Sequence, residues 1–179
     1  MKKLLIIVLL FTTSKINTPI DEPKISIQLR EVEITLDAPR YMDDYLNDIG
    51  HRESSNRYNI TNRYGYMGRY QFGMSTLKTI GIKTTREKFL SNPRIQETAM
   101  LRNLKRNKRV LKSYIDKYSG TLLDTVYITE SGILAAAHIG GANGVKNFFD
   151  SGIDREDGNK TKLSAYLVEF SGYNLKQIQ

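Results

Sequence analysis

Two hydrophobic periods run along this chain. Between residues 25 and 36 the apolar positions alternate, first Ile25, Ile27 and Leu29, then Val32, Ile34 and Leu36. A period of two predicts a short strand or hairpin, or an extended arm. From residue 41 the spacing becomes helical. Met42, Tyr45, Leu46 and Ile49 predict a helix that starts just after Pro39. A second helix is expected over 74–80, closed by Gly81. Thr84 with Glu87 makes a capping box for a short helix through Leu90. Asn92-Pro93 opens a long helix with Ile95, Met100, Leu101, Leu104 and Leu111 on its apolar side, reaching Tyr118 and Gly120. Further helices are expected over 129–139, ending at Gly140-Gly141, and over 142–149. Thr161 is the expected cap of a last one, with Leu163, Tyr166, Leu167 and Phe170 facing inward. The pattern contains no internal repeat. It predicts a mainly α fold, with one helical domain over 41–179 behind a short extended or β arm at 19–40.

Residues 1–18 read differently. Lys2-Lys3 precede an unbroken apolar run, Leu4 to Phe11, and then Thr12-Thr13-Ser14. This is the layout of a secretory signal, and the run is far shorter than the roughly 20 residues of a membrane span. The alternative is an uncleaved N-terminus in transient contact with a membrane. Both predict a protein that works outside the cytoplasm, in a periplasm or the extracellular space.

Charge and composition narrow the partners. The formal net charge is +8. Removing residues 1–18, which carry Lys2, Lys3 and Lys15 and no acid, leaves 24 basic against 19 acidic residues. That surplus does not by itself imply nucleic acid, and an exported chain is not expected to meet any. With no cysteine and two histidines there is no convincing metal site and no thiolate nucleophile, and no cofactor is expected. Asp154 and Asp157-Gly158-Asn159 lack the alternating spacing of a calcium loop and read as a surface turn.

The chemistry concentrates in two stretches. Glu53 lies four residues after Ile49, so it continues the apolar side of its helix close to the C-terminal end. A carboxyl group there is costly to ionise, which suits a general acid. The plain alternative is a helix-end glutamate turned to solvent. Residues 62–73 then bring together Gly65, Gly68 and Gly73, with Tyr58, Tyr64, Tyr66 and Tyr70 crowded around them and Gln71 between. Glycines permit a tight turn and close backbone approach. Tyrosines offer an apolar face with a polar tip, which suits sugar rings. The competing reading is a β-turn anchored in the core by Tyr70 and Phe72.

Four blocks in order resemble the soluble lytic transglycosylases, within the goose-type lysozyme-like superfamily. They are Glu53-Ser54 at a helix end, Gly68-Arg69-Tyr70-Gln71 before the next helix, Ala135-Ala136-Ala137-His138-Ile139-Gly140-Gly141, and Leu163-Ser164-Ala165-Tyr166-Leu167. The resemblance covers about residues 41–173. It implies a lysozyme-like helical domain that acts, as a monomer, on peptidoglycan glycan strands. It implies Glu53 as the catalytic acid/base and Ser54, Tyr70, Gln71, His138 and Tyr166 as substrate-binding residues. The chain departs from the family where Ala137-His138 replaces a tyrosine-asparagine pair, and where bulkier residues precede Gln71. His138 either takes over the contact of the missing asparagine or is a core histidine bonded to backbone.

The acid count bears on the reaction. From Ser54 to Arg86 there is no Asp or Glu, and Asp43, Asp44 and Asp48 share the helix of Glu53. Glu130 is the remaining candidate for a second carboxylate. Ordinary glycosidases use two. One carboxylate fits the reaction that the resemblance implies, cleavage of the MurNAc-GlcNAc β-1,4 bond to a 1,6-anhydro product. The rivals are a lysozyme-type hydrolase and a cell-wall-binding module without activity. The basic run Lys105, Arg106, Lys108 and Arg109 reads as a solvated face, or as one that helps hold the anionic wall.

Overall fold

The computed structural model describes residues 4–12, 26–34, 39–156 and 160–178. The chain falls into two units, residues 1–38 and 39–179. The first is an antiparallel hairpin of β1 (Leu4–Thr12) and β2 (Ser26–Ile34), in register from Leu4 opposite Ile34 to Thr12 opposite Ser26. The strand expected near residues 25–36 is present. Its partner is the apolar run of the expected leader, for which the sequence predicts no strand. The remainder of the expected leader, residues 1–3 and 13–18, and the Asp157-Gly158-Asn159 turn lie outside the described residues.

The second unit is mainly helical, as expected. Its helices are α1 (Met42–Ser54), α2 (Met74–Thr79), α3 (Arg86–Leu90), α4 (Pro93–Val110), α5 (Lys112–Tyr118), α6 (Glu130–Ser151) and α7 (Leu163–Glu169). A two-residue ladder of β3 (Leu122–Leu123) and β4 (Val126–Tyr127) joins α5 to α6. The helix starts follow local chemistry. The Tyr41 amide donates to the Asp44 carboxylate at 2.8 Å at the head of α1. The Asn92 side chain accepts from the Ile95 amide at 3.2 Å, with Pro93 in the first turn of α4. The short α3 is capped by Thr85, one residue later than expected, through the Lys88 amide. Thr161 does not cap α7, which begins after Lys162 with no side-chain cap.

Two interruptions shape the unit. The long helix expected to reach Tyr118 breaks at Leu111, which is fully buried and non-helical (φ −102°, ψ 10°), so α5 follows α4 as a separate helix. The glycine pair in the centre acts as expected. Gly141 (φ 66°, ψ 168°) kinks α6 between its two halves.

α6 is the central element and packs against α4, α5 and α7. Its first half, Ser131 to Ala137, is buried throughout. Small residues there let neighbouring backbones close in. A β-carbon at Gly132 would sit 2.4 Å from the Leu167 carbonyl oxygen, so α7 lies directly on α6 at that point. α1 closes the other side with Tyr45 and Ile49, both fully buried. The Tyr45 ring meets Phe170 and Tyr173 edge-on at 6.1 and 5.3 Å. Burial of each such side chain stabilises the unit by about 1.5–3 kcal/mol.

The Gly132 contact generates a test. Gly132→Ala must push α7 away from α6, because the obstacle is backbone rather than a flexible side chain. A loss of about 1–3 kcal/mol is expected, measured as a lowered denaturant midpoint, whereas Gly141→Ala faces no atom within 4 Å and meets only the strain of its positive φ.

Candidate active site

Glu53 stands in the last turn of α1, half-buried. Its Oε1 accepts a hydrogen bond from the Tyr166 hydroxyl of α7 at 2.7 Å. Its Oε2 has no protein partner among the described residues. Tyr166 is itself 4% exposed. Burial, then the adjacent Glu53 charge and their hydrogen bond, push its hydroxyl well above the usual phenol range. Tyr166 therefore keeps its proton at any physiological pH and remains a donor to Glu53. The Arg52 guanidinium lies over the same ring at 5.5 Å and pairs with Glu169 at 3.2 Å, on the solvent side.

The turn after α1 is held from beneath. The Ser54 hydroxyl is buried and donates to the Arg69 carbonyl at 2.9 Å, while the Arg57 amide donates to it at 2.9 Å. Met67 and Phe72 exchange backbone hydrogen bonds at 3.0 and 2.8 Å, closing the turn over 67–72. Gly68 is required there twice over. Its φ is +73°, and a β-carbon would fall 2.0 Å from Gln96 Oε1, the atom that accepts from the Arg69 amide at 2.8 Å. Gln71 follows at φ +50°, an uncommon conformation for a residue with a side chain. Its amide donates to the Gly68 carbonyl at 2.8 Å.

Behind the turn lies a polar cluster. Arg69 donates to Asn56 at 2.8 Å, to Tyr58 at 3.1 Å and to Glu97 at 2.9 Å. The Tyr58 and Tyr70 hydroxyls each donate to Glu97 at 2.7 Å. Tyr70 is fully buried in this cluster. The expectation of Tyr70 as a substrate contact is thus corrected: its ring is a core anchor, as is Phe72. Ser54 likewise spends its hydroxyl on backbone, so it positions the turn and does not line the cleft.

Two hollows, of about 280 and 600 Å³, share Glu53, Asn62, Tyr64 and Gln71. They form two arms of one cleft, with Glu53 where the arms meet. The smaller arm adds Tyr66, Phe72 and His138, and the larger adds Arg52, Arg63, Thr161 and Tyr166. The Asn62 side chain accepts from the amides of Tyr64 and Tyr66 at 2.9 and 3.1 Å, which folds the loop so that both rings stand about half exposed on the cleft. Of the four tyrosines singled out in this stretch, these two face the cleft, and Tyr58 and Tyr70 do not.

His138 follows the second of its two readings, a histidine bonded to backbone. Its Nε2 lies 2.8 Å from the Tyr70 carbonyl and its Nδ1 lies 3.3 Å from Asn103 Nδ2. A carbonyl only accepts, so Nε2 carries the proton and Nδ1 accepts from Asn103. The ring is bonded to backbone and also lines the cleft. Asn103 and Asn107, buried on the inward side of α4, support it from below, and the sequence reading missed both. Their signal was available: Gln96, Asn103 and Asn107 fall at helical spacing on the side that also carries Ala99, Met100 and Leu104, and polar residues on a buried face need partners.

Glu53 is the only carboxylate lining the cleft among the described residues. Glu130 is not its partner. It pairs with Lys108 at 2.8 Å and lines a separate cavity of about 740 Å³. Among the described residues no group of His, Asp and Glu is placed to hold a metal ion. Compared with models of protein families, with curated proteins and with solved structures, the chain matches none.

Ser54→Ala removes the donor to the Arg69 carbonyl and the acceptor of the Arg57 amide. A loss of about 1–3 kcal/mol is expected, read as a lowered thermal midpoint. Because the turn carries Gln71, weaker binding of any cleft ligand should accompany it.

Proposed function

We propose that this chain is an exported lytic transglycosylase with a lysozyme-like helical fold, acting as a monomer on bacterial peptidoglycan glycan strands. The observation that carries the reading is Glu53, a single carboxylate fixed by Tyr166 at the meeting point of a two-armed, tyrosine-edged cleft. Export is supported by Lys2-Lys3 and the apolar run that follows.

The chemistry follows from having one carboxyl group. Glu53, protonated, delivers its proton to the glycosidic oxygen, and the C–O bond to the muramic sugar breaks. The substrate's own N-acetyl group stabilises the positive charge at the anomeric carbon, the task a second protein carboxylate performs in other glycosidases. Glu53, now a carboxylate, takes the proton of the 6-hydroxyl as that oxygen attacks the anomeric carbon. The product is a 1,6-anhydro ring, and Glu53 ends protonated as it began. Tyr166 holds Oε1, which leaves Oε2 to exchange the proton. Gln71 supplies a polar contact in the smaller arm, which the His138 ring lines with both of its nitrogens bonded to the protein. Tyr64 and Tyr66 offer rings to the sugar faces.

Mass spectrometry of purified peptidoglycan after digestion tests this. Wild type should release anhydromuropeptides, and Glu53→Gln should reduce release by about 10²–10⁴-fold or more while keeping the wild-type thermal midpoint. Products with ordinary reducing ends would make the enzyme a hydrolase. No release from intact sacculi would overturn the proposal.

A further inference from the structure

The 740 Å³ cavity lies apart from the Glu53 cleft, with which it shares no lining residue. Isoleucines 80, 115 and 178 contribute apolar lining, and six Lys and Arg side chains on α4 and the start of α5 surround them. The six differ in how their charge is met. Lys108 pairs with Glu130 at 2.8 Å and Lys112 with Asp116 at 2.5 Å. Arg102, Lys105, Arg106 and Arg109 meet no carboxylate among the described residues. Arg102 donates to the Gly81 carbonyl at 3.0 Å and Arg106 to the Asn107 side chain at 3.3 Å, both neutral partners.

These four cations fall at i, i+3, i+4 and i+7, so they share one face of α4. The rise per residue makes this stripe about 10 Å long, with charge repeating about every turn of 5.4 Å. Four like charges this close repel one another, and among the described residues the two acids of the cavity, Asp116 and Glu130, pair with Lys112 and Lys108 instead. A linear anion with its charges spaced by short carbon linkers would satisfy both features: its charges meet the stripe and its linkers lie on the isoleucines. Guanidinium forks match phosphate oxygens two at a time.

We propose that this cavity binds a linear phosphodiester polymer of the cell envelope, a chain of polyol phosphates, and thereby holds the enzyme on the wall while the Glu53 cleft works. The envelope as location rests on the glycan-cleaving reading, but the binding chemistry does not.

The test is titration of the full chain with fluorescently labelled poly(glycerol phosphate) at several salt concentrations. Wild type should bind with an affinity that falls steeply as salt rises, by the release of counterions. The double variant Lys105→Gln, Arg109→Gln alters two exposed side chains and should bind at least tenfold more weakly. The pair Lys105→Arg, Arg109→Lys should keep binding near wild type. Glu53→Gln should bind as wild type does, so loss of glycan cleavage and loss of polymer binding are separate results. Equal affinity of wild type and the double glutamine variant would overturn the proposal. So would tighter binding to polyglutamate, to duplex DNA or to phosphatidylglycerol vesicles than to the polyol phosphate.

Discussion

The hydrogen bond between Tyr166 and Glu53 joins the middle of α7 to the end of α1, 113 residues apart in the chain. Much of the helical unit can be understood as what this contact requires. α7 must lie on α6 closely enough to bring Tyr166 to the end of α1, and the absence of a side chain at Gly132 makes that approach available. α1 must end where it does, and Ser54 ties that end to the turn carrying Gln71. The burial that seats Tyr166 also keeps its proton in place, so one packing arrangement both orients the carboxylate and guarantees it a donor.

α4 divides the labour of the unit between its two sides. The inward side carries Gln96, Asn103 and Asn107 among apolar residues. Gln96 holds the glycine turn, and the two asparagines lead to His138 at the cleft. The other side presents the unbalanced cations. Buried amides of this kind cost stability unless every partner is made, and here they are spent on the backbone and ring that form the cleft floor.

Much of this was legible in the chain, and what was not has physical causes. α1, the Asn92 cap, the Gly141 kink and the inward face of α7 all follow from period and local cap chemistry, which are properties of neighbouring residues. The break at Leu111 was hidden because Leu111 still fits the apolar spacing and no glycine or proline marks it. The partner of β2 was hidden because an unbroken apolar run does not alternate. Crowding of tyrosines near Gly68 was visible, but which of them face outward depends on the turn. The turn sends Tyr70 into the Arg69–Glu97 cluster and leaves Tyr64 and Tyr66 on the cleft. Glu53 was readable from its position on the helix face, whereas the resemblance implied Tyr166 only as a substrate-binding residue, and its bond to Glu53 had no signal, since no local pattern links residues so far apart.

The central claim is that Glu53 addresses a glycosidic bond lying along the cleft. The most direct measurement is a crystal structure of the Glu53→Gln variant soaked with a GlcNAc-MurNAc oligomer. The account predicts sugar density across both arms, with a glycosidic oxygen within hydrogen-bond distance of the side chain at position 53 and Tyr64 or Tyr66 against a sugar face. A glycan seated away from Glu53, or an empty cleft beside a glycan bound elsewhere on the molecule, would contradict it.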